Sequence, residues 1–182
     1  MRLPCFKALA EESNETLRDY FFISLLTGAR RSNVQEMQWK QLHFDRAEWR
    51  IPTTKNGEPQ IVTLTPEAVE ILRTREGVDP VWVFPGSGPT GHLVEPKKAW
   101  KRILEQAGIA DLRIHDLRRT LGSWQAKTGA SLGLVGKYLN VSSQPPRRPG
   151  IFSFNRLADP AAAAAARRCG WRARPGAFPG CP

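Results

Sequence analysis

The sequence predicts an α+β fold, mainly α, in which five or six helices surround one small antiparallel β-sheet. Two observations predict it. Apolar residues recur at helical spacing in several stretches that close on a glycine or an asparagine. Two strand-like runs flank Lys55-Asn56-Gly57, and Asn-Gly between such runs is the strongest short hairpin signal.

The elements follow in order. Thr16-Leu17-Arg18-Asp19 reads as a capping box, with Leu17, Phe21, Ser24 and Leu25 continuing at helical spacing and Gly28 at the stop. Ser32 with Gln35 reads as a second cap, opening a short helix through Trp39. Leu42 to Asp45 is a candidate third strand beside the hairpin strands 49–54 and 60–65. Thr65-Pro66-Glu67 combines an N-cap, a first-position proline and a first-turn acid, and opens a helix to about Arg75. Residues 79–93 read as loop with a short strand, Val81 to Phe84. Glu95-Pro96 starts a helix to Ala107 with Gly108 at its end. Further helices are expected over His115 to Thr128 and Ser131 to Leu139. Five tryptophans, Trp39, Trp49, Trp82, Trp100 and Trp124, are read as core or sheet packing, and His43 and His92 as surface residues.

A chain of 182 residues, 41% hydrophobic, suits one domain with a tail. The most apolar stretch, Tyr20 to Leu26, is too short to span a bilayer, and no secretory signal pattern opens the chain. Three cysteines without CxxC spacing exclude a disulfide framework and a cysteine zinc site, so a cytoplasmic setting is expected. The net charge of +10 points to a polyanionic partner. That charge is uneven: residues 144–182 carry seven arginines, no lysine and the single acid Asp159. Their composition is rich in Pro, Gly and Ala and poor in large apolar residues, so this Arg/Ala/Pro-rich tail is expected to be disordered. Arginine without lysine beside Ala, Pro and Gly is what a GC-rich frame yields out of phase, which suggests a frameshifted C-terminus testable at the locus.

Four groups could carry chemistry. Arg30 follows a helix end beside Gly28, Lys55 stands at a hairpin tip, and His115 and Arg118 lie three apart near the start of a helix. Two guanidiniums can hold a phosphate diester by forked hydrogen bonds and stabilise charge that builds on phosphorus. An imidazole can move a proton near neutral pH, and a lysine on a hairpin can reach a leaving oxygen. Plainer readings stand beside each of these. Arg30 is also a partner for a helix C-terminal dipole, and Lys55 a solvated turn residue. His115-Asp116 is also a metal-ligand pair of the phosphohydrolase kind, although His43 and His92 lack ligand spacing. Lys97, Lys98, Lys101 and Arg102 form either a solvated helix face or a phosphate-contacting one.

Together these stretches resemble the catalytic domain of tyrosine recombinases, the phage integrase family. The matching residues are Thr27-Gly-Ala-Arg30, Thr54-Lys55-Asn-Gly and His115-Asp-Leu-Arg118-Arg-Thr120, with Leu132 to Leu139 resembling the helix before the family's last histidine motif. The match covers residues 14–143 in order, after a lead segment at 1–13. The resemblance implies the tyrosine-recombinase catalytic-domain fold and double-stranded DNA as partner, with other recombinase protomers as a second. It implies Arg30 and Arg118 as phosphate clamps, Lys55 as general acid for the leaving 5′ oxygen, and His115 as acid/base helper. No metal and no cofactor are implied. The family cleaves one strand through a 3′-phosphotyrosyl intermediate and rejoins it to another.

Three departures set this chain apart. Asn33 stands where the family places an acid, and Val141 where it places a histidine or tryptophan. Residues 149–154 hold no tyrosine where the nucleophile is expected; the two tyrosines are Tyr20, read as buried, and Tyr138, read as packing. The expectation is an incomplete catalytic domain, without the family's amino-terminal clamp, that does not cleave DNA on its own. Rival readings are a non-catalytic DNA-binding or recombinase-docking module, a metal phosphohydrolase and a decayed remnant.

Overall fold

A computed structural model of the chain describes residues 3–53, 59–129 and 131–139. Helix α2 (Glu15–Thr27) is its axis. Tyr20, Phe21, Ile23 and Leu25 are at most 1% exposed, and buried residues lie on every side of the helix from Asp19 to Thr27. It packs against α1 (Leu3–Ala10), α3 (Arg31–Gln35), α4 (Pro66–Thr74) and α6 (Ile114–Lys127). Tyr20 meets Phe84 edge-on at 5.6 Å, and Phe21 tilts against Trp100 of α5 (Lys97–Gln106) at 5.0 Å.

Helix α1 lies in the segment read as a lead. Cys5, Phe6, Ala8 and Leu9 are buried in the core, α1 packs on α2 and α5, and Phe6 stacks on Trp124 of α6 at 6.5 Å. Eight residues are too few to hold a helix alone in water, so its helicity rests on packing.

The start of α2 differs from the capping box expected at Thr16. Asn14 is the N-cap, accepting from the Leu17 N–H at 3.1 Å, while its own N–H donates to Glu12. Thr16 and Asp19 turn instead to Arg75, at the end of α4. Arg75 donates to Asp19 Oδ2 at 3.1 Å, to Thr16 Oγ1 at 3.0 Å and to the Val83 carbonyl at 3.0 Å, and its guanidinium stacks over Phe84. Both members of the Asp19–Arg75 pair are buried, so one ion pair fastens α2, α4 and the loop after α4.

The sheet has the order β1 (Leu42–His43), β2 (Glu48–Ile51), β3 (Gln60–Thr63), antiparallel throughout. Trp49 pairs with Leu42 on one side and Val62 on the other, and all three point into the core; Arg50 pairs with Ile61 on the outer face. The hairpin tip with Lys55, Asn56 and Gly57 lies outside the described residues, as do Asn140, Val141 and the segment 144–182.

Helix α3 ends at Gln35, earlier than the Trp39 expected. The Gln35 amide donates to the Leu93 and Val94 carbonyls, and the backbone then pairs with the strand-like stretch after α4: Trp39 N–H to Val81 O at 3.2 Å, Val83 N–H to Met37 O at 3.0 Å. Those two bonds make a single bridge, Gln38 with Trp82, where a short strand was expected. Helix α4 opens as its cap predicts, with Thr65 Oγ1 accepting from Ala68 N–H at 3.3 Å. Helix α7 (Leu132–Tyr138) packs against α6.

Candidate functional site

The end of α2 is built by local chemistry. Thr27 is buried; its hydroxyl donates to the Ile23 carbonyl at 2.6 Å and accepts from the Ala29 N–H at 3.3 Å. Gly28 takes the left-handed conformation, φ 58°, and its N–H closes on Ser24 O at 3.1 Å. Arg30 then adopts an extended backbone as the N-cap of α3, its carbonyl accepting from Val34 N–H at 3.1 Å. The turn therefore holds Arg30 at a junction of two helices, with its Nη1 atom buried.

The second half of the site comes from α6. Asp116 caps its first turn, accepting from the Arg113 N–H at 2.9 Å and from Arg119 at 3.1 Å. Packing of α2 on α6 carries Arg118 to the C-terminal end of α2. There its guanidinium, on a residue 7% exposed, donates to the Gly28 carbonyl. A cation at a helix C-terminus meets the negative end of the dipole and an otherwise unpartnered carbonyl. Burial, then the positive charge of Arg30, pushes the Arg118 pKa down to about 10. The two guanidiniums thus share one electrostatic environment, and Arg118 remains a cation at neutral pH.

His115 lies nearly one turn before Arg118 and is exposed, with only part of its imidazole shielded from solvent. Burial, followed by the charges of Arg119 and Arg118, lowers its pKa below the usual 6.5, against a smaller opposing pull from Asp116. Its imidazole is neutral at physiological pH, able to accept a proton. The structure brings Arg118 within electrostatic reach of Arg30, and His115 within that of Arg118, while Lys55 falls outside the described residues. Strand β3 is tied to α7, which packs on α6. Gln60 of β3 donates to the Tyr138 carbonyl at 2.8 Å, and the Tyr138 hydroxyl to Thr63 O at 3.4 Å.

Asn33, three residues after Arg30, is neutral, and its buried Nδ2 has no hydrogen-bond partner among the described residues. Tyr20 is wholly buried, which pushes its phenol up to about 12; burial raises that of Tyr138 as well. On α5, Lys101 pairs with Glu105 at 3.6 Å and Arg102 with the buried Glu12 at 2.7 Å, so only part of that basic face is uncommitted. Among the described residues no three His, Cys, Asp or Glu side chains form a metal-holding group. No helix among them is long and apolar enough to cross a membrane.

Sequence reasoning missed the Gly28 carbonyl as the anchor of Arg118, because a backbone acceptor leaves no trace in residue type. It also missed Leu139, whose side chain lies against both glycines of the site, Gly28 and Gly122. The four-residue spacing of Val135 and Leu139 puts both on one helix face, a signal that does not say what the face covers.

Comparisons with known proteins bear on the family and the fold. The integrase of Salmonella phage P22 is 31% identical over 143 residues, which are 71% of this chain and 37% of the phage protein. The chain spans well under half the length of the curated relatives it matches. Among solved structures, the integrase from mycobacterium phage Brujita superposes with a TM-score of 0.65 at 17% identity, covering 92% of this chain and 54% of that one. XerH site-specific recombinase bound to its difH substrate gives 0.62 at 19%, covering 77% and 45%. Residues 5–144 match the phage integrase family, and with the mainly helical fold and its three-stranded sheet this shows that the chain belongs to that family, as a tyrosine recombinase/integrase domain.

Proposed function

We propose that this domain binds double-stranded DNA and holds one backbone phosphate between Arg30 and Arg118, as the catalytic domain of a site-specific recombinase does. The observation that carries this reading is the burial of Arg118 at the end of α2 within electrostatic reach of Arg30. Two guanidiniums at one partly desolvated junction favour an anion, and a phosphate diester offers two oxygens to their forked donors. XerH, similar in fold, is solved on its DNA substrate.

In this reading the clamps stabilise the extra negative charge on a five-coordinate phosphorus. A tyrosine oxygen attacks phosphorus, and the 5′ oxygen leaves with a proton from Lys55. Neutral His115 takes the proton that the attacking tyrosine gives up and, once protonated, returns it when the step reverses. No metal ion and no cofactor enter these steps. The attacking group is what this polypeptide does not present. Its two tyrosines are Tyr20, sealed in the core, and Tyr138, turned to the Thr63 carbonyl of the sheet. The chain therefore occupies DNA without cleaving it alone, and a neighbouring protomer is the source from which a nucleophile could come. Its place is the cytoplasm, on the nucleoid.

Incubation with a nicked suicide duplex tests both halves. The expected result is reversible, salt-sensitive binding that Arg30→Ala and Arg118→Ala each weaken, with no covalent band. A stable protein–DNA band from the chain alone would overturn the second half, and unchanged affinity in both variants the first.

A further inference from the structure

We propose that Leu139, at the end of α7, is a positioning residue for the phosphate cradle: it wedges between Gly28 and Gly122 and so keeps the Gly28 carbonyl where Arg118 binds it. The proposal rests on the cradle reading above and adds to it a residue that no phosphate touches. Leu139 is 7% exposed. A methyl group placed on Gly28 would lie 3.0 Å from Leu139 Cδ2, and one placed on Gly122 would lie 3.0 Å from Leu139 Cδ1. Both glycines are therefore filled from outside by one leucine, whose two methyls reach the turn that carries Arg30 and the helix that carries His115 and Arg118. Leu121 closes the same gap from α6, 2.6 Å from the Gly28 position. The Arg118 guanidinium hangs on the carbonyl of that same glycine.

The consequence is mechanical. Tightly packed interiors pass displacement along, since a buried side chain cannot be trimmed without its neighbours moving or a void remaining. If α7 withdraws, the α2 turn loses its backing on one side, and the carbonyl that fixes the angle of Arg118 is free to tilt. The cradle is thus set by the helix that leads toward the C-terminal end of the family match, and α7 is also tied to the Lys55 hairpin through Gln60.

The test compares Leu139→Ala, Leu139→Met and Ile103→Ala in the full chain. Ile103, buried on α5, is a destabilising control. Two readouts are taken at a temperature where all variants are folded: affinity for a duplex oligonucleotide, and the NMR signal of the Arg118 Nε–H. The expected result for Leu139→Ala is a loss of affinity of about tenfold, the scale of one misplaced charged hydrogen bond, with a displaced Arg118 signal. Leu139→Met keeps both near the unaltered chain, and Ile103→Ala lowers the unfolding midpoint while leaving both in place. If Leu139→Ala does not fold, Leu139→Val carries the same comparison. An unmoved Arg118 signal with unchanged affinity overturns the proposal, as does an Ile103→Ala variant that loses as much as Leu139→Ala. Arg118→Ala separates the two levels. If it weakens binding while Leu139→Ala does not, only the positioning role falls; if it leaves affinity unchanged, the cradle and the positioning role fall together.

Discussion

Replacing Gly28 by alanine probes the junction from which Arg118 hangs, and a matched control lies elsewhere in the chain. Gly28 and Gly108 both follow helices and both take left-handed backbone, at φ 58° and φ 63°. A β-carbon carries a cost of about 1–2 kcal/mol in that conformation at either site. The surroundings differ. At Gly108 nothing lies within 4 Å of the added carbon, whereas at Gly28 it would meet Leu121 Cδ2 at 2.6 Å and Leu139 Cδ2 at 3.0 Å. Ordinary carbon contacts sit at about 3.5–4.0 Å. Half-buried Leu121 can swing partly toward solvent, but buried Leu139 has no such exit. Overpacking of this kind costs about 1–3 kcal/mol, and the partial escape of Leu121 favours the lower part of the range. Gly28→Ala is therefore expected to destabilise the domain by about 1–2 kcal/mol more than Gly108→Ala. Urea unfolding followed by tryptophan fluorescence measures the difference, provided the slopes of the two transitions match. Equal losses in the two variants would refute the close packing of the α2 turn on α6 and α7.

Other expectations follow from the buried charges. Arg75→Ala strands Asp19 with only Arg18 beside it and removes bonds to Thr16 and Val83, so a loss of about 3–5 kcal/mol is expected in the same assay. Burial pushes the Glu12 carboxyl up, but hydrogen bonds from Arg102, the Asn14 N–H and Ser13 outweigh it and hold its pKa below 4.5. Its contribution is then complete above that value and lost as pH falls through the lower folded pKa; Glu12→Gln should flatten stability against pH in that acid window. His115, with a folded pKa below 6.5, binds fewer protons than the unfolded chain between the two values, so stability rises with pH through that window and falls on acidification. An NMR titration should place its midpoint below 6.5 and move it upward when duplex DNA is added, because a phosphate offsets the two arginines; a midpoint unmoved by DNA speaks against His115 at the phosphate.

Local signals read well from sequence, and tertiary ones did not. Gly28 as a helix stop, Thr65-Pro66 as a helix start and Asn56-Gly57 between strand-like runs are short-range chemistry, and α2, α4 and the strands β2 and β3 stand where these put them. The cap at Thr16 failed because the same two polar side chains suit a capping box and a buried arginine equally, and only the fold brings Arg75 to them. Helix α1 and the single bridge at Trp82 failed for the same reason, since each is made by partners far along the chain. Arg30, His115 and Arg118 were legible as a motif. What carries Arg118 to the turn before Arg30, the Gly28 carbonyl and the packing of α2 on α6, is legible only in three dimensions.

The most direct measurement is a crystal structure of the chain on a duplex oligonucleotide. The account predicts one backbone phosphate with oxygens about 3 Å from the guanidiniums of both Arg30 and Arg118, and His115 beside it. A duplex seated elsewhere, with Arg118 still turned to Gly28 and no phosphate near Arg30, would contradict it.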